Sequence, residues 1–201
     1  MDQSESFIKG VYILKEGNPS MVDVVVENIV ASSQIADEID LDRLSREISD
    51  VEYHPEVFPG LTVRCVNSKT VVIVFSSGKV VCTGAKSAAD AKAAIQKVCN
   101  TFKDKGFSVY KNPRVTVQNM VASASLKKEL DLGLVASFLG ANVEYEPKQF
   151  PGIVYRGDSD VVVLLFSSGR IICTGGKSEK EVNETIEKLV EELLSIGVVG
   201  K

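Results

Sequence analysis

Val74–Gly84 reads VFSSGKVVCTG, and Leu165–Gly175, ninety-one residues later, reads LFSSGRIICTG. Seven of the eleven positions are identical, and the rest exchange Val for Leu, Lys for Arg and Val for Ile. A β-branched run, a Ser-Ser-Gly turn and a second β-branched run predict a hairpin. Writing that hairpin twice predicts a duplicated unit. Outward from it the repeat continues: VENIVAS (Val26–Ser32) returns as VQNMVAS (Val117–Ser123), and YHPEVFPGLTVR (Tyr53–Arg64) as YEPKQFPGIVYR (Tyr145–Arg156). A unit of about 90 residues is too long for a solenoid and points to two half-domains. The expected division is 1–20 as a poorly ordered N-terminal extension, 21–112 as the first repeat and 113–201 as the second.

Each repeat has one element order. A β-rich segment (Asp23–Ser32; Val115–Ser123) precedes a short helix (Leu41–Ile48; Leu132–Leu139). Short strands follow: Leu61–Val66, Val71–Phe75 and Lys79–Cys82, then Ile153–Arg156, Val161–Phe166 and Arg170–Cys173. A long helix closes each unit. Ala91, Ala94, Ile95, Val98 and Phe102 mark its stripe in the first repeat, and Val182, Ile186, Leu189, Leu193 and Ile196 in the second. Ser178 and Glu181 have capping-box spacing.

Alternation places Val71, Ile73 and Phe75 on one strand face and Val72 and Val74 on the other. Helices from one side cover only one sheet face. The other is expected to stay bare, which marks a binding surface. Parity puts Val81 and Thr83 together, and Val24, Val26, Asn28 and Val30 together. In the second repeat the bare face should carry Asn119, Val121, Phe150, Phe166, Ile172 and Thr174. Parity leaves Glu27 on the helix side, without an explanation.

Composition excludes several classes. The 201 residues are 44% hydrophobic and 25% charged, as in an ordinary globular protein, and no apolar run reaches membrane-spanning length. Cys65, Cys82, Cys99 and Cys173 form no CxxC, and His54 is the one histidine, so a zinc site is not expected. TGGKS (Thr174–Ser178) lies where a phosphate loop would, yet the glycine that such a loop needs earlier is Ile171. No base, nucleophile and orienting group converge, so neither an enzyme nor a cofactor is expected.

The net charge is −4, but the charge is segregated. Residues 53–86 carry Arg64, Lys69, Lys79 and Lys86 against Glu56 alone. Residues 37–52 and 178–192 are strongly acidic. The strands therefore hold the cations and the helices the carboxylates, an arrangement that permits binding to a polyanion. The segregation is weaker in the second repeat, where residues 145–177 carry Lys148, Arg156, Arg170 and Lys177 against Glu146, Asp158 and Asp160. Arg64, Lys79, Arg156 and Arg170 are repeat-equivalent and suit phosphates on two strands.

NIVAS, FPGLTVR, VFSSGKVVCTGAKS, QNMVAS, YEPKQFPGIVYR and LFSSGRIICTGGKS together resemble the core of the TATA-box-binding protein family, archaeal type. The resemblance covers about residues 22–199. It implies an α+β fold, a ten-stranded antiparallel saddle of two pseudo-two-fold halves, with two long helices on the convex back. The concave face would bind the minor groove of A·T-rich promoter DNA. Asn28, Thr83, Asn119 and Thr174 would supply donors, and Val30, Val71, Ile73, Val81, Val121 and Ile172 would pack on the groove floor. Phe58 with Phe75, and Phe150 with Phe166, match the family's intercalating pairs. A transcription factor B type partner would dock on the loop holding Glu146 and Lys148, with RNA polymerase recruited indirectly. Lys148 stands where the family commonly has an acid. The implied location is the cytoplasm of an archaeal cell, or the nucleus if the source is eukaryotic. A protein-association module, with self-association through the bare face, is the alternative.

Overall fold

A computed structural model describes residues 7–13, 20–65, 69–157 and 159–199. The chain forms two compact units, one of residues 28–118 and the other of residues 1–27 with 119–201. Among the described residues the fold is α+β, with four α-helices and strands that all pair antiparallel.

In the 28–118 unit the strands are β2 (its part from Asn28; the whole strand is Ser20–Gln34), β3 (Val51–Glu52), β4 (Gly60–Arg64), β5 (Val71–Phe75) and β6 (Lys79–Ala85), ordered β3-β4-β5-β6-β2. The short helix α1 (Leu41–Glu47) begins at Asp40, whose side chain accepts the Arg43 N–H. The long helix α2 (Ala88–Asp104) begins at Ser87, whose hydroxyl accepts the Asp90 N–H. Each cap satisfies a donor that the first helical turn leaves open. Ala91, Ala94, Ile95, Val98, Cys99 and Phe102 are buried along α2. They pack with β5 and β6, where Val72, Val74, Val80 and Cys82 are all 0% exposed. Burying each large side chain of this kind contributes roughly 1.5–3 kcal/mol.

The other unit repeats the pattern. Its strands β7 (Val115–Ser125, from Asn119), β8 (Val143–Glu144), β9 (Gly152–Arg156), β10 (Val162–Phe166) and β11 (Arg170–Gly176) are ordered β8-β9-β10-β11-β7. Helix α3 (Leu132–Leu139) is capped by Asp131 and α4 (Glu179–Ser195) by Ser178. The expected capping box is displaced by one residue: the Glu181 carboxylate accepts the N–H of Lys177, not that of Ser178. The strands β2–β11 make up the ten that the resemblance implies. An eleventh, β1 (Phe7–Ile13), pairs with β2 and lies against α4, inside a segment expected to be poorly ordered. Residues 1–6 and 14–19 of that segment, and Val66 at the expected end of β4, lie outside the described residues.

The units divide inside the two long strands, not at the repeat boundary near 112. Along β2, Val22, Val24 and Val26 are buried, and then Ile29, Ala31 and Ser33. The alternation slips by one at Glu27–Asn28. Val24 and Val26 therefore do not share the face of Asn28 and Val30, as strict parity predicted. Glu27 is exposed, not turned to the helix side. Its carboxylate accepts the Ser123 hydroxyl at 2.6 Å.

Candidate nucleic-acid interface

The strand burial patterns show which sheet face is open. On β5, Val71, Ile73 and Phe75 are half-buried while Val72 and Val74 are fully buried. β10 repeats this with Val162, Leu164 and Phe166 against Val163 and Leu165. Cross-strand register then builds rows on the half-buried face. In the 28–118 unit one row is Arg64, Val71 and Thr83, and the next is Thr62, Ile73, Val81 and Ser32. In the other unit the rows are Arg156, Val162 and Thr174, then Val154, Leu164, Ile172 and Ser123. Val30 and Val121 are half-buried as well. Each unit thus assembles its own predicted members on one open face.

A bulge sits at the end of each first row. Ile29 pairs with Ala85 and Ala31 with Cys82, so β6 spends one residue more than β2. Gly84 absorbs the turn at φ +83°, a left-handed conformation that a Cβ would strain. A Cβ there would also lie 2.2 Å from the Lys69 carbonyl oxygen. The Gly84 N–H, freed from the ladder, donates to Asn28 Oδ1 at 2.7 Å. That bond sets the amide orientation. With Oδ1 occupied, Asn28 Nδ2 donates to Thr83 Oγ1 at 3.3 Å and keeps a second N–H for another acceptor. The other unit builds the same site. Gly175 N–H donates to Asn119 Oδ1 at 2.7 Å, and Asn119 Nδ2 to Thr174 Oγ1 at 3.4 Å.

The Phe pairs form by one device in each unit. The His54 carbonyl accepts the Val57 and Phe58 N–H groups, and the Glu146 carbonyl those of Gln149 and Phe150. These turns aim each ring back over the strand it precedes. Phe58 meets Phe75 edge-on at 6.0 Å between centroids, and Phe150 meets Phe166 at 5.8 Å. The Gly after each Phe-Pro makes the room: a Cβ on Gly60 would lie 2.6 Å from the Phe58 ring. Phe58 is 43% exposed, a large apolar surface left to solvent.

Lys79 and Arg170 are exposed at the hairpin turns. Arg64 and Arg156 are exposed too, yet each meets a carboxylate: Arg64 Nε lies 2.9 Å from Glu52 Oε1, and Arg156 Nε 3.0 Å from Glu144 Oε1. The Arg64 bond and charge hold the Glu52 carboxyl below its ordinary range. Glu146 and Lys148 are exposed in the turn before β9. Burial pushes the Cys82 thiol up to about 11 and the Cys173 thiol up to about 12, so both are inert core residues. Among the described residues no cluster of His, Cys, Asp or Glu could hold a metal. No helix of the described residues is long and apolar enough to cross a membrane.

Sequence reasoning passed over Val162 and Leu164, although the ninety-one-residue shift maps Val71 and Ile73 directly onto them. It also missed Ser32, Ser123, Glu27 and Gln118. Gln118 Nε2 donates to Ser32 Oγ at 2.9 Å, the counterpart of the Ser123–Glu27 bond.

A duplicated α+β half-domain, each copy with a helix-covered face and an open face bearing an Asn-Thr-Gly site and a Phe pair, defines a sheet-surface binding protein. Comparison with known proteins narrows the class. The family model described as Transcription factor TFIID (or TATA-binding protein, TBP) matches twice, over residues 23–105 and 114–196. The TATA-box-binding protein of Archaeoglobus fulgidus is 49% identical over 178 residues, covering 88% of this chain and 97% of the relative. That of Thermoplasma acidophilum is 46% identical over the same shares. The solved structure of Methanococcus jannaschii TBP superposes with a TM-score of 0.78 at 43% identity, covering 86% of this chain and 98% of the other. The chain belongs to the TATA-box-binding protein family, which consists of transcription factors rather than enzymes.

Proposed function

We propose that this chain is a general transcription initiation factor that reads A·T-rich promoter DNA through the minor groove with its open sheet faces. One observation carries the reading: both repeats use the amide oxygen of their Asn internally, on Gly84 N–H and Gly175 N–H. What Asn28 and Asn119 then offer outward is an N–H donor. The minor groove of A·T pairs presents only the acceptors A N3 and T O2, whereas guanine adds an N2 amino donor. A donor facing those acceptors is satisfied, and facing the guanine amino group it is not. The half-buried Val30, Val71, Ile73, Val81, Val121 and Ile172 fit the floor of a groove without protruding groups.

The two Phe pairs act as wedges at the ends of the site. Minor-groove bending by inserted apolar side chains has this family as its type example, and the unstacking costs a few kcal/mol per step, offset by contacts the bent duplex gains. Lys79 and Arg170 meet phosphates on first contact, and Arg64 and Arg156 meet them on the bent duplex. The loop of Glu146 and Lys148 receives a transcription factor B type partner, through which RNA polymerase is recruited. The setting is the cytoplasm of an archaeal cell.

Titration of the full chain against A·T and G·C duplexes of equal length tests the reading. Binding that weakens by roughly 1–3 kcal/mol for each central pair changed to G·C supports it. Equal affinity for both sinks minor-groove readout. Self-association with no duplex binding would favour a protein-association role for the same face.

A further inference from the structure

Arg64 and Arg156 end the open-face rows that contain Thr83 and Thr174. Both guanidinium groups are already engaged. Arg64 donates from Nε to Glu52 Oε1 at 2.9 Å and from Nη2 to Glu52 Oε2 at 3.2 Å. Arg156 donates from Nε to Glu144 Oε1 at 3.0 Å. Strand pairing sets both contacts. Glu52 lies opposite Thr62 and Glu144 opposite Val154, so each arginine two residues further along is a diagonal neighbour on the same face.

We propose that Glu52 and Glu144 are positioning residues that hold Arg64 and Arg156 off DNA phosphates and thereby suppress sequence-independent binding. The inference rests on the DNA-binding reading above. Non-specific affinity for DNA comes from cations that neutralise phosphates and release counterions. An arginine already matched by a carboxylate gains little from a phosphate on an undistorted duplex. The side chains are 63% and 56% exposed in the first pair and 57% and 67% in the second. Exposed pairs of this kind contribute little to stability, so the arrangement is poorly explained as a structural staple. It is well suited to exchange of one anion for another. Its occurrence at equivalent places in both repeats matches a ligand with two phosphate strands. Lys79 and Arg170, at the hairpin turns, would carry the initial attraction.

The test measures affinity of the full chain over a salt series, for an A·T and a G·C duplex, with wild type, Glu52→Gln, Arg64→Gln and the double variant. Glu52→Gln should bind the G·C duplex about two- to five-fold more tightly near 0.1 M salt. Its slope of log affinity against log salt should steepen by up to about 0.9. Both gains should vanish when Arg64→Gln is added, because the carboxylate acts through that arginine. Gains that survive in the Arg64→Gln background make Glu52 a simple repelling charge and overturn the proposal, as does the absence of any gain. Glu144→Gln with Arg156→Gln is the independent repeat of the test should a Glu52 variant fail to fold. A wild-type chain that binds neither duplex removes the DNA-binding reading itself, an outcome no Glu52 variant can mimic.

Discussion

The two repeats agree on their open sheet faces and disagree on their helix sides. The Asn-Thr-Gly site, the Phe pair and the Glu–Arg pair recur with bond lengths within about 0.2 Å of one another. On the helix side, Lys69, Lys86 and Lys97 line a cavity of about 410 Å³ with Asp90. The corresponding region of the second repeat holds Glu181, Glu184 and Lys188 around about 190 Å³. Helix α1 presents the ion pair Arg43–Glu47, with Arg43 also 4.4 Å from the Phe107 ring. At the equivalent positions α3 exposes Leu134 and Phe138, 48% and 58% accessible. A nearly two-fold ligand requires two matching faces, and it makes no demand on the backs. The divergence of the backs and the match of the faces fit the ligand proposed above.

The comparison breaks most sharply at Tyr155. This ring is fully buried, and its hydroxyl donates to Glu192 at 2.9 Å. The first repeat has Val63 in its place, beside a cavity of about 190 Å³ that Val63 lines with Thr101 and Phe102. Tyr155→Val should cost about 3 kcal/mol and Val63→Ala only about 1 kcal/mol, measured by denaturant unfolding. Equal costs would mean that the two cores are packed alike.

Next in size are the wedges. Replacing Phe58 and Phe75 with Ala, or Phe150 and Phe166, should each remove one of two kinks and weaken A·T binding by about 2 kcal/mol. Fluorescence transfer across the bound site reads the bend. An unchanged bend in either variant would make that pair core, not wedge. Asn28→Ala and Asn119→Ala should each narrow the A·T over G·C preference by about 1.5 kcal/mol. Paired titrations would show one repeat dominating if the two losses differ greatly. The smallest effect belongs to the backs. Leu134→Arg with Phe138→Glu writes the first repeat's pair into the second and should change stability by no more than about 0.5 kcal/mol. A larger loss in thermal unfolding would show that these exposed side chains pack against something.

The repeat, the hairpins, the placing of Val72 and Val74 on one face and the helix stripes as far as Leu193 were legible in the chain alone, because strand alternation and helical periodicity are local rules. Ile196 instead follows α4 as its C-cap and is half-buried. The family was legible too, since its motifs occur in both copies and in order. Local rules end where backbone geometry departs from regularity. The slip at Glu27–Asn28 reverses the faces of Val24 and Val26, and no spacing announces it. Gly84 reads as an ordinary strand residue until the bulge turns its N–H toward Asn28. Glu52 reads as part of the acidic 37–52 stretch, and Glu144 carries no signal of its own, until strand register sets them beside Arg64 and Arg156. The sequence by itself determined which residue types line each strand and that every element occurs twice. Only the tertiary structure decided which donors face outward and which cations are already matched. Those properties depend on hydrogen bonds and ion pairs between strands, joining residues 55 and 12 positions apart in the chain.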